Sequence, residues 1–172
     1  MCGFSGFLNF NPNWGDPLTL LQQMGDQLTH RGPDDSGIWF DNNCGVGLSH
    51  RRLSIIDLSA QGHQPMFSTS GRFVIAYNGE IYNHQELKKE LLQARVIFRG
   101  GSDTEVLLAA IESWGIKQTL QRCIGMFAFS LWDKKEQTLS LVRDRMGEKP
   151  LYYGWQGKGA KRTFLFGSEL KS

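Results

Sequence analysis

A chain of 172 residues is long enough for one domain with a sizeable core. At this size about 70% of the unfolded surface can be buried, so neither disulfides nor a structural metal is needed. Hydrophobic residues at 40% and charged residues at 21% are ordinary for a globular protein, and 19 basic against 17 acidic residues argue against a nucleic-acid or membrane surface. Cys2, Cys44 and Cys123 fall in no CxxC spacing, and His30, His50, His63 and His84 form no HxxxH pair, so no metal site is expected. With no basic leader and no apolar run of transmembrane length, a reducing, cytoplasmic location is the simplest reading.

Met1-Cys2 opens the chain. A cysteine directly after an initiator methionine becomes the first residue once that methionine is trimmed. Its thiol and a free α-amine then share one Cα, giving a nucleophile and a candidate base together. Their ordinary pKa values, about 8.5 and about 7.7–8.0, lie near neutral pH. Gly3 to Phe10 alternates apolar with small or polar residues, as a strand does, and would hold such a terminus in place. Asn11 to Gly15 reads as a turn. Asp16-Pro17 reads as an N-cap followed by proline at the first helical position, opening a helix to about His30 through Leu20, Leu21, Met24 and Leu28.

His30-Arg31-Gly32-Pro33-Asp34-Asp35-Ser36-Gly37 reads as a turn on composition. Ile38-Trp39-Phe40 and Val46 to His50 are strands flanking a turn at Asp41-Asn42-Asn43. Arg51-Arg52 then runs straight into the apolar stretch Leu53 to Leu58. These arginines are either solvated strand-end charges or, through the planar guanidinium fork, receivers for a carboxylate. Arg72 to Tyr77 is an apolar run suited to a strand covered on both faces, ending in Asn78-Gly79-Glu80. Asn-Gly is a strong hairpin signal, yet a helix start follows Ile81-Tyr82 where a hairpin would need a matching strand. That helix opens at Asn83, with Glu86 three residues on and Leu87, Leu91 and Leu92 behind.

Val96-Ile97-Phe98 reads as a short strand. Ser102-Asp103-Thr104-Glu105 has the form of a capping box, before a helix carrying Leu107, Ala110, Ile111 and Trp114 that stops at Gly115. Asp103 therefore sits in a first helical turn, where an acid either suits the dipole or meets a ligand's ammonium group. Met126 to Trp132 with Thr138 to Val142, and Leu151 to Trp155 with Thr163 to Phe166, read as two hairpins. The charged stretch Arg143 to Pro150 lies between them. Eight to ten strands and three or four helices in this order make an α+β chain, and no phosphate-binding glycine motif occurs.

Several of these segments, taken together, resemble the class II glutamine amidotransferase domain. They are Met1-Cys2-Gly3, His30-Arg31-Gly32-Pro33-Asp34, Arg52-Leu53-Ser54-Ile55, Asn78 to Asn83, Gly101-Ser102-Asp103, Gly125 to Phe129, Arg143-Asp144-Arg145 with Gly147, Lys149 to Tyr153, and Ser168 to Lys171. Within that family the chain looks most like the glutaminase half of glutamine-dependent asparagine synthetase. The resemblance implies an Ntn-hydrolase fold, a four-layer αββα sandwich of two antiparallel sheets between helical layers, with residues 1–172 as one glutaminase domain. It implies L-glutamine as substrate and ammonia passed to a C-terminal ATP-dependent synthetase domain absent from this chain. ATP and Mg would belong to that domain, and the glutaminase step needs no cofactor.

The resemblance also assigns roles. Cys2 is the nucleophile and its α-amine the general base. The Asn78 side-chain amide and the Gly79 backbone N–H form the oxyanion hole. Arg52 receives the α-carboxylate of glutamine, Asp103 with Glu80 its α-ammonium, and Leu53 and Ile55 complete the substrate site. A homodimer is compatible with this family, and neither nucleic acid nor membrane is an expected partner. Two other readings stand beside it: a non-catalytic amidotransferase-like module serving a partner domain, and an amidotransferase for another acceptor such as a surface-sugar intermediate. Another Ntn amide hydrolase fits less well, because Arg52 and Asp103 match both ends of an α-amino acid.

Overall fold

The structure, a computed structural model, describes residues 1–9, 15–54, 60–159 and 162–172. In chain order its elements are β1 (Gly3–Asn9), α1 (Pro17–Asp26), β2 (Asp35–Asp41), β3 (Val46–Arg52), a 3-10 turn (Ala60–Gly62), β4 (Met66–Phe67) and β5 (Phe73–Ile81). There follow α2 (His84–Gln93), α3 (Asp103–Trp114), α4 (Ile116–Arg122), β6 (Gly125–Asp133), β7 (Thr138–Arg143), β8 (Tyr152–Gln156) and β9 (Thr163–Gly167). The strands form a five-stranded sheet, β2-β3-β1-β9-β8, and a four-stranded sheet, β4-β5-β6-β7. Every pairing is antiparallel.

The period of two along each strand builds the layers. In β5, Phe73, Ile75 and Tyr77 pack with α2 and α3, while Val74 and Ala76 turn inward against the other sheet. In β6, Phe127, Phe129 and Leu131 take the helix side, and Ala128 and Trp132 the inward side. From the five-stranded sheet, Phe4, Val46, Leu48 and Phe166 meet them. Phe7, on the opposite pleat of β1, packs against Leu21 and Met24 of α1. The result is α1, sheet, sheet, then α2 to α4: the αββα sandwich that the resemblance implies.

Local signals hold where they are strongest. The Asp16 carboxylate accepts the N–H groups of Leu18 and Thr19 at the start of α1. Ser102 Oγ accepts the Glu105 N–H at 3.2 Å, one half of a capping box. The Glu105 carboxylate instead takes the N–H groups of Arg99 and Gly100, so it caps the preceding loop.

Four readings change. The first helix ends at Asp26, well before His30, because the chain tightens there into i to i−3 turns at Leu28, Thr29 and Arg31. Val96-Ile97-Phe98 is not a strand. Among the described residues no strand pairs with it, and Val96 and Phe98 pack onto the helical core while Ile97 stays exposed. Asn78-Gly79 makes no turn, since β5 runs through it with Asn78 opposite Ala128 and Gly79 opposite Phe127. The helix α4 and the two-residue strand β4 are additions. The turn read at 11–14 and the apolar run at 55–58 lie outside the described residues.

Candidate active site

The pleat that builds the core also builds the site. Cys2 precedes Phe4 by one period, Arg52 follows Leu48 and His50, and Asn78 and Glu80 follow Val74 and Ala76. All four therefore continue the inward faces of their strands past the point where apolar packing stops. At that mouth of the sandwich lies a cavity of about 130 Å³, bounded by Cys2, Arg52, Leu53, Asn78, Gly79 and Glu80, with Asp103 from the start of α3. Arg51, one residue from Arg52, points the other way and bonds the Gly25 carbonyl and the Asp26 carboxylate of α1. Two adjacent arginines thus have different fates.

Cys2 is held by Leu53 and Arg31. The Leu53 N–H donates to Cys2 Sγ at 3.3 Å, and the thiol lies 3.6 Å from the Leu53 carbonyl. Arg31 Nε donates to the Cys2 carbonyl at 3.0 Å, and Arg31 Nη1 binds Glu169 at 3.1 Å. Glu169 also binds His30 Nε2 at 2.9 Å. Burial works to raise the Glu169 carboxyl, but the hydrogen bonds from His30 and Arg31 outweigh it and hold the group at about 2. Ser168, just before it, ties β9 to β1 by exchanging bonds with the Phe4 backbone.

Several buried polar groups line the rest of the wall. Gly62 lets the Arg52 guanidinium lie against the 3-10 turn, because a Cβ there would stand 2.0 Å from Arg52 Nη2. Gly79 lets β5 press onto β6, where a Cβ would meet the Met126 carbonyl at 2.4 Å. Asn78 is 2% exposed and its Nδ2 has no hydrogen-bond partner among the described residues. The Asp103 Oδ2 accepts the Tyr77 hydroxyl at 2.8 Å and the Ile81 N–H at 2.9 Å, which pins α3 to β5. Burial, then the charge of Asp103, pushes the Tyr77 phenol well above its ordinary value. Gln64 accepts the Tyr77 N–H at 2.7 Å, and His50 Nε2 bonds the Tyr77 carbonyl at 3.0 Å. A carbonyl only accepts, so the His50 proton sits on Nε2.

Of the residues expected at the site, Cys2, Arg52, Leu53, Asn78, Gly79, Glu80 and Asp103 all border this cavity. Ile55 lies outside the described residues. The cavity also includes residues given no role from sequence, among them Gln64, Tyr77 and Lys149, and it is bordered by Met1. Arg31 and Glu169 join them as supports of Cys2, yet they stand 138 positions apart, and no local spacing could couple them. Membership of both in motif-dense segments was the available signal. Among the described residues, no cluster of His, Cys, Asp and Glu gathers to hold a metal ion, and no helix is long and apolar enough to cross a membrane.

Comparison with known proteins places the chain in a family. Residues 1–172 match the family model for the glutamine amidotransferase domain. The chain is 39% identical to asparagine synthetase [glutamine-hydrolyzing] 3 of Bacillus subtilis, covering 100% of this chain and 27% of that protein. It is equally 39% identical to the amidase chry2 of Gibberella zeae, over 100% of this chain and 26% of the relative. It thus spans about a quarter of the length of these relatives. Among solved structures it shares the fold of glutamine phosphoribosylpyrophosphate amidotransferase from B. subtilis, with a TM-score of 0.75 at 23% identity over 97% of this chain and 42% of the other.

Proposed function

Because this chain belongs to the glutamine amidotransferase domain family, we propose that it hydrolyses L-glutamine to glutamate and ammonia through a thioester on Cys2. The observation that carries this reading is one small cavity bordered by Cys2, a buried Asn78 Nδ2 without a partner among the described residues, the Arg52 cation and the Asp103 carboxylate. A cation and an anion suit the two charges of an α-amino acid. A donor without an acceptor suits an oxygen whose charge develops during reaction.

In the described chain the Cys2 nitrogen is a peptide nitrogen and cannot act as a base. Once Met1 is trimmed, the α-amine takes the thiol proton and Cys2 Sγ bonds to the side-chain amide carbon of glutamine. The tetrahedral oxyanion rests on the Asn78 amide and the Gly79 N–H. As the C–N bond breaks, the α-ammonium returns its proton and ammonia leaves. Water then adds to the γ-glutamyl thioester, releasing glutamate and restoring the thiol. Arg52 takes the α-carboxylate, Asp103 with Glu80 the α-ammonium, and Leu53 fixes the sulfur.

The ammonia goes to an acceptor activated elsewhere, in a C-terminal synthetase domain that uses ATP and Mg, with aspartate-to-asparagine conversion as the first candidate. The cytoplasm is its place. An equally similar relative is named an amidase rather than an asparagine synthetase, so a different acceptor, such as a surface-sugar intermediate, is the second reading. The test is direct. Met1-trimmed protein, checked by intact mass, releases glutamate from glutamine and is labelled at Cys2 by a glutamine-like electrophile, and Cys2→Ala abolishes both. Folded, trimmed protein that releases no glutamate would instead support a non-catalytic module.

A further inference from the structure

Lys149 is a buried cation that the chemistry above does not use. It is 5% exposed and borders the same cavity as Cys2. Its Nζ has one hydrogen-bond acceptor among the described residues, the Met1 thioether at 3.1 Å. Its loop is closely tied down: the Asp144 carboxylate accepts the N–H groups of Phe127, Met146, Glu148 and Lys149, and Arg143 bonds the carbonyls of Gly147 and Lys149. An ammonium group taken out of water needs a partner, and a thioether is a weak acceptor. When Met1 leaves, even that acceptor goes.

We propose that Lys149 is a positioning residue for the trimmed amino terminus: its positive charge disfavours a second one on the Cys2 α-amine and so shifts that amine toward its free-base form. The inference rests on the glutaminase reading for its purpose, though not for its test. Covalent lengths place Nζ within about 9 Å of the Cys2 nitrogen, reached through the Met1 side chain. Among the described residues, the other charged groups at Cys2 leave one net negative charge. Arg31 is paired with Glu169, which also holds His30. Arg52 from β3 borders the cavity with two carboxylates, Glu80 from β5 and Asp103 from α3, and the Asp103 Oδ2 already accepts two hydrogen bonds. The cation that touches Met1 offsets that remaining negative charge. Like charges favour the neutral amine, and at an effective dielectric between about 20 and 80 the shift is on the order of half to one and a half pH units.

The test follows the Cys2 Cα resonance of trimmed, [13C]cysteine-labelled protein through a pH titration. Lys149→Met is expected to raise the amine midpoint by about half to one and a half pH units, with Lys149→Arg within a few tenths of the unmodified chain. An unmoved midpoint in Lys149→Met overturns the proposal, as does an equal shift in Lys149→Arg. If Lys149→Met does not fold, Lys149→Gln is read by the same criteria. Glutamate release by the unmodified protein is scored separately. Its absence refutes the glutaminase reading while the titration still decides the role of Lys149.

Discussion

Asn78 illustrates how much a single side chain can carry. Its Nδ2 is a buried donor with no acceptor among the described residues. Such a group costs stability, and folds retain it where a ligand supplies the acceptor. Asn78→Ala should therefore lower kcat by about 10²–10³, or roughly 2.7–4 kcal/mol of barrier, with KM for glutamine nearly unchanged. Removing the orphaned donor should leave the urea midpoint level or raise it. A fall in stability together with a raised KM would mean that Asn78 shapes the wall of the cavity and does not hold the oxyanion. The asparagine was legible as a candidate from sequence. Its missing partner was not, because satisfaction of a side chain depends on every neighbour at once.

At the scale of elements, the joint between α3 and β5 sets the far wall of the site. Asp103 was readable as an acid in a first helical turn, and its place in the cavity agrees with that. The sequence carried no sign that its Oδ2 holds the Tyr77 hydroxyl and the Ile81 N–H. Asp103 thus positions a helix as well as offering a charge. Tyr77→Phe removes one bond to a charged acceptor and should cost about 1.5–3 kcal/mol in urea unfolding, with an unchanged m-value. An unaltered midpoint would mean that the Ile81 N–H bond to Asp103 and the packing of Leu107 and Ile111 hold the joint without the Tyr77 hydroxyl. The Asn78-Gly79 pair makes the complementary point. Its local preference is a turn, and a nine-residue ladder with β6 overrides that preference.

Across the whole molecule, His50 reports on the contact between the sheets. It is 1% exposed, it reaches across to the Tyr77 carbonyl, and burial lowers it from 6.5 to about 4. A group with a depressed folded value binds its proton in the unfolded chain first, so its contribution is complete above pH 6.5 and is lost as pH falls toward 4. The loss amounts to about 3 kcal/mol at 1.36 kcal/mol per pH unit. Urea midpoints should decline through that window in the unmodified chain and stay flatter in His50→Gln, while parallel profiles would show that His50 does not control the decline. By itself the sequence determined most strands and helices, the α+β class, and the residue types of the site, because alternation, capping and motif order are local properties of the chain. Tertiary structure alone decided which pleat each residue takes at the mouth of the sandwich, and so why Arg52 faces the cavity while Arg51 does not. It also joined Arg31 to Glu169 behind Cys2 and set the Lys149 ammonium against Met1, since contacts between residues more than a hundred positions apart exist only once the two sheets have closed on each other.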